Sequence, residues 1–138
     1  MALITVVGFP CSGKSSRTAE LSEFLLRKIS TEEYTGPIKR VEVISDHSLA
    51  ISPSVYNGTS FPADLHRAIS NSAIFSDSAS EKPARGTIFT NLQRKLAVDC
   101  VLILDSLNYI KGFRYQIYCA AREMKLRTCT VHPFPAHI

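Results

Sequence analysis

The stretch that decides the fold is an apolar run, Leu3-Ile4-Thr5-Val6-Val7, followed at once by Gly8-Phe9-Pro10-Cys11-Ser12-Gly13-Lys14-Ser15. The second part has the pattern of a phosphate-binding loop, and it stands where such loops stand, between a strand and a helix. Its glycines let backbone N–H groups turn inward around phosphates, while the lysine reaches the β and γ oxygens and the serine hydroxyl can bind Mg²⁺. The stretch predicts a protein that binds a nucleoside triphosphate. The alternative is a chance match in a loop that needs glycines only for its turn.

The rest of the chain alternates between strand-like and helix-like segments. Strands are predicted at 3–7, 41–45, 101–104 and 128–131, and helices at 15–29, 81–96 and 113–125. Ser15 or Ser16 is predicted to cap the first helix. This order predicts an α/β fold in which helices cover both faces of a mainly parallel sheet, a three-layer sandwich. Residues 46–80 are rich in Ser, Asn, Pro and Gly and are predicted to form a long excursion with short helices at most.

Two acids stand where predicted strands end. Asp105 follows the apolar run 101–104, and a carboxylate beside the phosphate loop can hold Mg²⁺, which makes it a Walker B candidate. Asp46 ends the second strand and could accept a proton or position a water. Ligands of parallel sheets bind at the carboxyl ends of the strands, so both acids are expected near the loop. A helix-cap or turn role is the alternative for each.

The composition of the chain limits the classes of protein to which it can belong. The 138 residues, 45% hydrophobic and 20% charged, predict one globular domain rather than a disordered chain, and no apolar run is long enough to cross a bilayer. We find neither an export signal nor a spacing of cysteine and histidine typical of a structural metal site, and we expect four reduced cysteines in an intracellular protein. From residue 81 onward nine Lys and Arg face four Asp and Glu, which favours either an anionic partner or a solvated helical face. We find no interleaving of aromatic and basic residues that would indicate base stacking.

Four segments together resemble one known family. They are the phosphate loop, the step Ser45-Asp46, the segment Lys82–Gly86, and above all Asp105-Ser106-Leu107-Asn108-Tyr109-Ile110-Lys111-Gly112-Phe113-Arg114-Tyr115-Gln116. In these the chain resembles the killer-toxin-insensitivity family of Elongator-associated ATPases, which is itself similar to phosphoseryl-tRNA kinase. The resemblance extends from residue 1 to about 132. It implies a kinase-like P-loop NTPase fold with the Asp105 strand beside the first strand.

The resemblance also implies roles for individual residues. ATP and Mg²⁺ are the implied cofactors, and Lys14, Asp46 and Asp105 are the predicted catalytic residues. Ser15, Asp46 and Asp105 are the predicted magnesium ligands. The predicted nucleotide-binding residues are Gly8, Phe9, Pro10, Cys11, Ser12, Gly13, Lys14, Ser15, Ser16 and Arg85. By pattern alone, Arg85 cannot be distinguished from a surface arginine.

The implied activity is weak ATP hydrolysis stimulated by tRNA. The implied partners are tRNA and the Elongator complex, in the modification of wobble uridines, and the implied locations are cytoplasm and nucleus. We expect a nucleotide-binding domain at 1–132, a divergent tail at 133–138, and a sheet that is incomplete because the family's lid and C-terminal tRNA-binding domain are absent. Two alternatives stay open, a P-loop kinase acting on a tRNA-linked or small-molecule hydroxyl and a nucleotide-binding adaptor without catalysis.

Overall fold

The structure is a computed structural model that describes residues 2–8, 11–56 and 78–133. Four strands and three α-helices alternate along the described chain. In order they are β1 (Ala2–Val6), α1 (Lys14–Ile29), β2 (Arg40–Ser45), α2 (Ser78–Lys95), β3 (Cys100–Asp105), α3 (Lys111–Glu123) and β4 (Arg127–Val131). Two short 3₁₀ helices, His47–Leu49 and Pro53–Tyr56, follow β2. Each strand and helix predicted from the sequence is present, with its ends shifted by at most three residues.

The four strands form one parallel sheet in the order β2-β3-β1-β4. The chain moves along the sheet in one direction through α1 and in the opposite direction through α2 and α3. Because crossovers between parallel strands are right-handed, α1 covers one face and the other two helices cover the opposite face. The predicted three-layer α/β fold is confirmed, and so is the position of the Asp105 strand beside the first strand.

The buried side chains fall into two clusters, one on each face of the sheet. The larger cluster lies under α2 and α3 and includes Ile88, Leu92, Leu104 and Ile117. The smaller one lies under α1, where Val6, Val101 and Ile103 are buried and side chains such as Leu25 are partly buried. β3 is buried along its whole length because it contributes to both clusters. β4, at the edge of the sheet, is almost entirely exposed.

Some sequence predictions need correction or lie outside the described residues. Neither Ser15 nor Ser16 caps α1, because Gly13 occupies the N-cap position and gives no side-chain hydrogen bond. α2 begins at Ser78, so its first turn lies inside the stretch that was predicted as an excursion. Phe9, Pro10 and the tail beyond Pro133 lie outside the described residues. Within the described ranges, no helix is long and apolar enough to cross a membrane.

Candidate nucleotide site

The phosphate loop joins β1 to α1, and its two glycines are required for different reasons. Gly8 is buried, and a Cβ there would come within 2.9 Å of the Ser12 hydroxyl oxygen, so a larger residue would require the Ser12 side chain to move. Gly13 has a φ of 78°, in the left-handed region that strains other residues. Cys11 also has a positive φ, of 58°. The loop therefore turns sharply at Cys11 and Gly13, directly before α1 begins.

The first turn of α1 is well suited to an anion. Its N-terminal N–H groups receive no side-chain cap and no acidic residue lies in the turn, so the positive end of the helix dipole is left uncompensated. Lys14 donates a hydrogen bond from Nζ to the Gly8 carbonyl oxygen, 3.1 Å away, which keeps the cation across the loop. Ser15 is exposed beside it and faces the adjoining cavity, while Ser16 is exposed but does not line that cavity.

The strand register brings the two predicted acids to the same edge. Asp105, the last residue of β3, is paired with Val6 on one side and with Ser45 on the other. Asp46 follows Ser45 directly, so it leaves the sheet next to Asp105. Asp105 is only 6% exposed. The structure therefore places both acids beside the phosphate loop, as the carboxyl ends of adjacent parallel strands predict.

Asp46 is the centre of a hydrogen-bonded group. Its Oδ1 accepts a hydrogen bond from the Tyr56 hydroxyl at 3.1 Å, and Ser106 is a second hydrogen-bond partner. Burial raises the pKa of the Asp46 carboxyl above its ordinary value of 3.8; the charge of Asp105 adds to this, while both hydroxyls and Lys14 act against it. Burial also raises the pKa of Tyr56 to about 12, so Tyr56 remains a hydrogen-bond donor at neutral pH. The raised pKa makes the Asp46 carboxylate a stronger base than an ordinary aspartate.

These side chains line a cavity of about 420 Å³. The lining combines Lys14 and Ser15 of α1 and Asp105 of β3 with His47 and Tyr56 of the two 3₁₀ helices. The complete lining is Lys14, Ser15, Ser45, Asp46, His47, Ile51, Pro53, Tyr56, Asp105, Ser106 and Leu107. Oxygen ligands from one or two carboxylates and a hydroxyl, completed by phosphate and water, are what Mg²⁺ takes in nucleotide sites. Ser15, Asp46 and Asp105 fit that ion, and they would supply its protein ligands.

The loop after β3 is held rigidly against the phosphate loop. Asn108 is buried with a φ of 43°, and its Nδ2 donates to the Val6 carbonyl oxygen at 2.9 Å and to the Leu104 carbonyl oxygen at 3.3 Å. Arg114 of α3 donates to the carbonyl oxygens of Asn108 and Tyr109. The ends of β1 and β3, which precede the phosphate loop and carry Asp105, are thereby joined through one amide. The amide therefore holds the loop after β3 against the end of β1.

Arg85 lies in a different environment from the one the sequence suggested. Its Nη1 donates to Glu81 at 2.6 Å, and Glu81, which is 4% exposed, also accepts a hydrogen bond from the Tyr109 hydroxyl at 2.7 Å. Arg85 does not line the cavity that holds Lys14 and Asp105; it lines a small adjoining recess with Tyr56 and Ser106. The structure assigns Arg85 an ion pair within α2, and its contact with phosphate stays a prediction.

Comparison with known proteins decides the family. Residues 1–136 match the family described as chromatin associated protein KTI12. The chain belongs to the KTI12 family. It is 38% identical over 132 residues to a KTI12 homolog of Xenopus laevis, and 36% identical over 132 residues to kti12 of Schizosaccharomyces pombe. Each alignment covers 96% of this chain, but only 38% and 40% of the respective relative.

A solved KTI12 structure has the same fold. The crystal structure of Chaetomium thermophilum Kti12 in complex with ADP-AlF3 matches with a TM-score of 0.71 and 36% sequence identity, covering 96% of this chain and 60% of that one. The family resemblance inferred from the four segments is therefore confirmed, together with the P-loop NTPase fold. ADP with aluminium fluoride is a nucleotide complex, so a member of the KTI12 family with this fold binds nucleotide.

Sequence reasoning missed several residues of the KTI12 site. Tyr56 follows a Ser- and Pro-containing segment without periodicity, and nothing local indicates that its hydroxyl returns to Asp46. Ser106 and Asn108 were part of the stretch that carried the family resemblance, but their partners are Asp46, which directly follows β2, and Val6 at the end of β1. Within the described residues, no three His, Cys, Asp or Glu side chains cluster closely enough to hold a metal ion by themselves.

Proposed function

We propose that this chain is an ATP-binding and ATP-hydrolysing domain that acts as an accessory factor of the Elongator complex in the modification of tRNA wobble uridines. One observation carries the nucleotide part of the proposal: Lys14, the uncapped start of α1, Asp46 and Asp105 converge on a single cavity. The Elongator and tRNA parts rest on the family resemblance and on the basic second half of the sequence. Cytoplasmic and nuclear locations belong to the same proposal.

The side chains divide the chemistry of hydrolysis among them. Lys14 and the N-terminal N–H groups of α1 bind the phosphates and stabilise negative charge as it develops on them. Asp46, held by Tyr56 and Ser106, orients the attacking water and accepts its proton. Asp105 and Ser15, with Asp46 beside them, would hold Mg²⁺, and the ion would supply positive charge to the phosphates. Because the chain spans 38% to 40% of the length of the relatives compared above, tRNA stimulation is proposed for the whole protein of this family.

The test is ATP hydrolysis by the purified chain, with and without bulk tRNA, beside Lys14→Ala. We expect turnover that requires Lys14, because the substitution removes a fixed cation from the phosphates. Lys28→Ala is the matched control, since Lys28 is an exposed lysine near the other end of α1. Undiminished nucleotide affinity in Lys14→Ala would reject the site. Nucleotide binding without any turnover would favour the adaptor without catalysis.

The metal assignment has its own test. Asp105→Asn should remove most of the dependence of nucleotide affinity on Mg²⁺, measured by titrating the ion at fixed nucleotide. Wild-type magnesium dependence in the variant would mean that another acid holds the ion.

A second candidate is a kinase that transfers the γ-phosphoryl group to a hydroxyl. The favouring observation is that Asp46, whose pKa is raised, accepts a hydrogen bond from Tyr56 and lines the same cavity as Lys14. Phosphate from γ-labelled ATP that appears on tRNA or on a small molecule, rather than in solution, would establish the kinase and reject simple hydrolysis.

A further inference from the structure

The outer surface of α3 carries an unusual stripe of side chains. Lys111, Tyr115, Tyr118 and Arg122 recur at intervals of four, three and four residues, so at 3.6 residues per turn they lie along one line of the helix. All four side chains are exposed. The exposed fraction is 68% for Tyr115 and 41% for Tyr118. The buried residues of α3, such as Phe113 and Ile117, point the other way, into the core. We call these four residues the α3 stripe.

The two tyrosines of the stripe form a pair. Their ring centroids are 6.2 Å apart and their planes are inclined by 30°. This separation exceeds the 3.4 Å rise between stacked bases of a helical strand, so the rings suit bases that have come apart from each other. Exposed aromatic pairs cost free energy in water, and the packing of this domain does not require them.

The charges of the stripe favour a polyanion. Within the described residues, neither Lys111 nor Arg122 forms an ion pair, whereas Arg17, Arg27, Arg40, Arg85 and Lys95 do. Glu123, the only acid of α3, lies about 120° around the helix from the stripe. The two cations are separated by about 16 Å along the axis, with both rings between them. An apolar protein segment could pack against the two rings, but it would leave the charges of Lys111 and Arg122 without a negatively charged partner.

We propose that the α3 stripe binds a single-stranded segment of RNA, with bases stacked on Tyr115 and Tyr118 and phosphates bound by Lys111 and Arg122. The proposal rests on the proposed function in one respect, that RNA is a partner. It adds which surface of the chain binds the RNA and that the bound segment is single-stranded. No interleaving of basic and aromatic residues was expected from the linear sequence. On α3 the two basic residues and the two tyrosines share one line of the helix because they follow the helical period.

The test measures binding of a fluorescent 12-nucleotide single-stranded RNA and of bulk tRNA to the chain and to tyrosine variants. Tyr115→Ala/Tyr118→Ala should weaken binding roughly tenfold or more, because each stacked base contributes on that scale. Tyr115→Phe/Tyr118→Phe should keep most of the affinity, since the rings remain. Phe24→Ala is the matched control, because it removes an exposed ring, 49% accessible, from α1 on the opposite face.

The charged residues are tested through salt. For single strands the slope of log K against log salt changes by about 0.7 for each phosphate contact, so Lys111→Ala/Arg122→Ala should flatten the slope by about 1.4. Arg27→Ala/Lys28→Ala removes the same charge from α1 and should leave the slope nearly unchanged. Thermal unfolding of every variant, and its affinity for an ATP analogue, are measured in parallel to establish that the fold and the nucleotide site are intact.

Several outcomes would overturn the proposal that the α3 stripe binds RNA. One is wild-type RNA affinity in the double alanine variant; another is an equal loss in the phenylalanine variant, since stacking would then not be the cause. A third is a change in self-association, seen by sedimentation, without a change in RNA binding. If the unmodified chain binds the ATP analogue but no RNA, the stripe and the tRNA part of the proposed function both fail while the nucleotide site stands. RNA binding that does not depend on the stripe rejects the stripe alone.

Discussion

On the face of the sheet covered by α2 and α3, twelve described side chains are buried in one cluster, whereas on the face covered by α1 only three are. Of the residues of α1, only Thr18 is buried, and Phe24 and Leu26 are about half exposed. Yet α1 is the helix whose N-terminus follows the phosphate loop. The heavily packed face thus supports the fold, and the lightly packed face carries the helix that is proposed to bind the nucleotide phosphates. Elements that respond to ligands tend to come from the less stable parts of a protein.

The largest effect is expected from Leu92→Ala. Leu92 of α2 is fully buried, and removing its side chain leaves a cavity that costs about 2–5 kcal/mol in free energy of unfolding. Leu25→Ala, on the partly buried side of α1, should cost about 1 kcal/mol because solvent already reaches that site. Urea unfolding of both variants checks the difference. Equal losses would mean that the two faces are equally well packed.

Ligand binding should stabilise the α1 face in particular. A non-hydrolysable ATP analogue with Mg²⁺, at one hundred times its dissociation constant, should raise the free energy of unfolding by about 2.7 kcal/mol. Hydrogen exchange should slow most in the first turn of α1 and in the loop that contains Asn108. Lys14→Ala should lose this protection, and Lys28→Ala should keep it. Protection confined to α2 and α3 would place the ligand elsewhere.

The smallest effect concerns the charge of Asp46. Because its pKa is raised in the folded chain, the folded state holds this proton more tightly than the unfolded chain does, and stability falls as the pH rises from 3.8 through the folded pKa. Asp46→Asn removes that penalty while keeping an oxygen that can accept the Tyr56 hydrogen bond. The variant should therefore unfold at a higher urea concentration than the parent at pH 7.

Two controls sharpen the Asp46 prediction. The advantage of Asp46→Asn should shrink as the pH is lowered through 3.8, because below that value the parent carboxyl is protonated in both states. Tyr56→Phe should enlarge the penalty at pH 7, because it removes one of the hydrogen bonds that lower the pKa of Asp46. A variant that is less stable than the parent at pH 7 would mean that the fold favours the carboxylate.

Most of the architecture could be predicted because it follows from local patterns. The apolar runs that became β1 and β3 are nearly continuous, as buried parallel strands require, and the phosphate loop between a strand and a helix has few alternatives. The convergence of Lys14, Asp46 and Asp105 was also predictable, because parallel strands present their carboxyl ends at one edge. The predicted caps failed because Gly13 adopts a left-handed conformation that ends the loop and starts the helix one residue earlier.

Contacts between distant segments were not predictable. The Tyr56 hydroxyl reaches Asp46 and the Asn108 amide reaches Val6, although no periodicity connects either pair. Residue types at a short spacing reveal a loop or a helix face. Which polar groups form hydrogen bonds across the fold depends on how the tertiary structure places segments that are distant in the sequence.

By itself, the sequence determined the order of strands and helices, the ligand class of the phosphate loop and the family. Each of these depends on patterns within short contiguous segments of the chain. Only the tertiary structure decided the hydrogen-bonded group around Asp46, the amide that joins β1 to β3, the unequal packing of the two faces, and the exposed stripe on α3. These features depend on the parallel register and on the crossover directions. Register and crossover bring together residues that the linear chain keeps far apart.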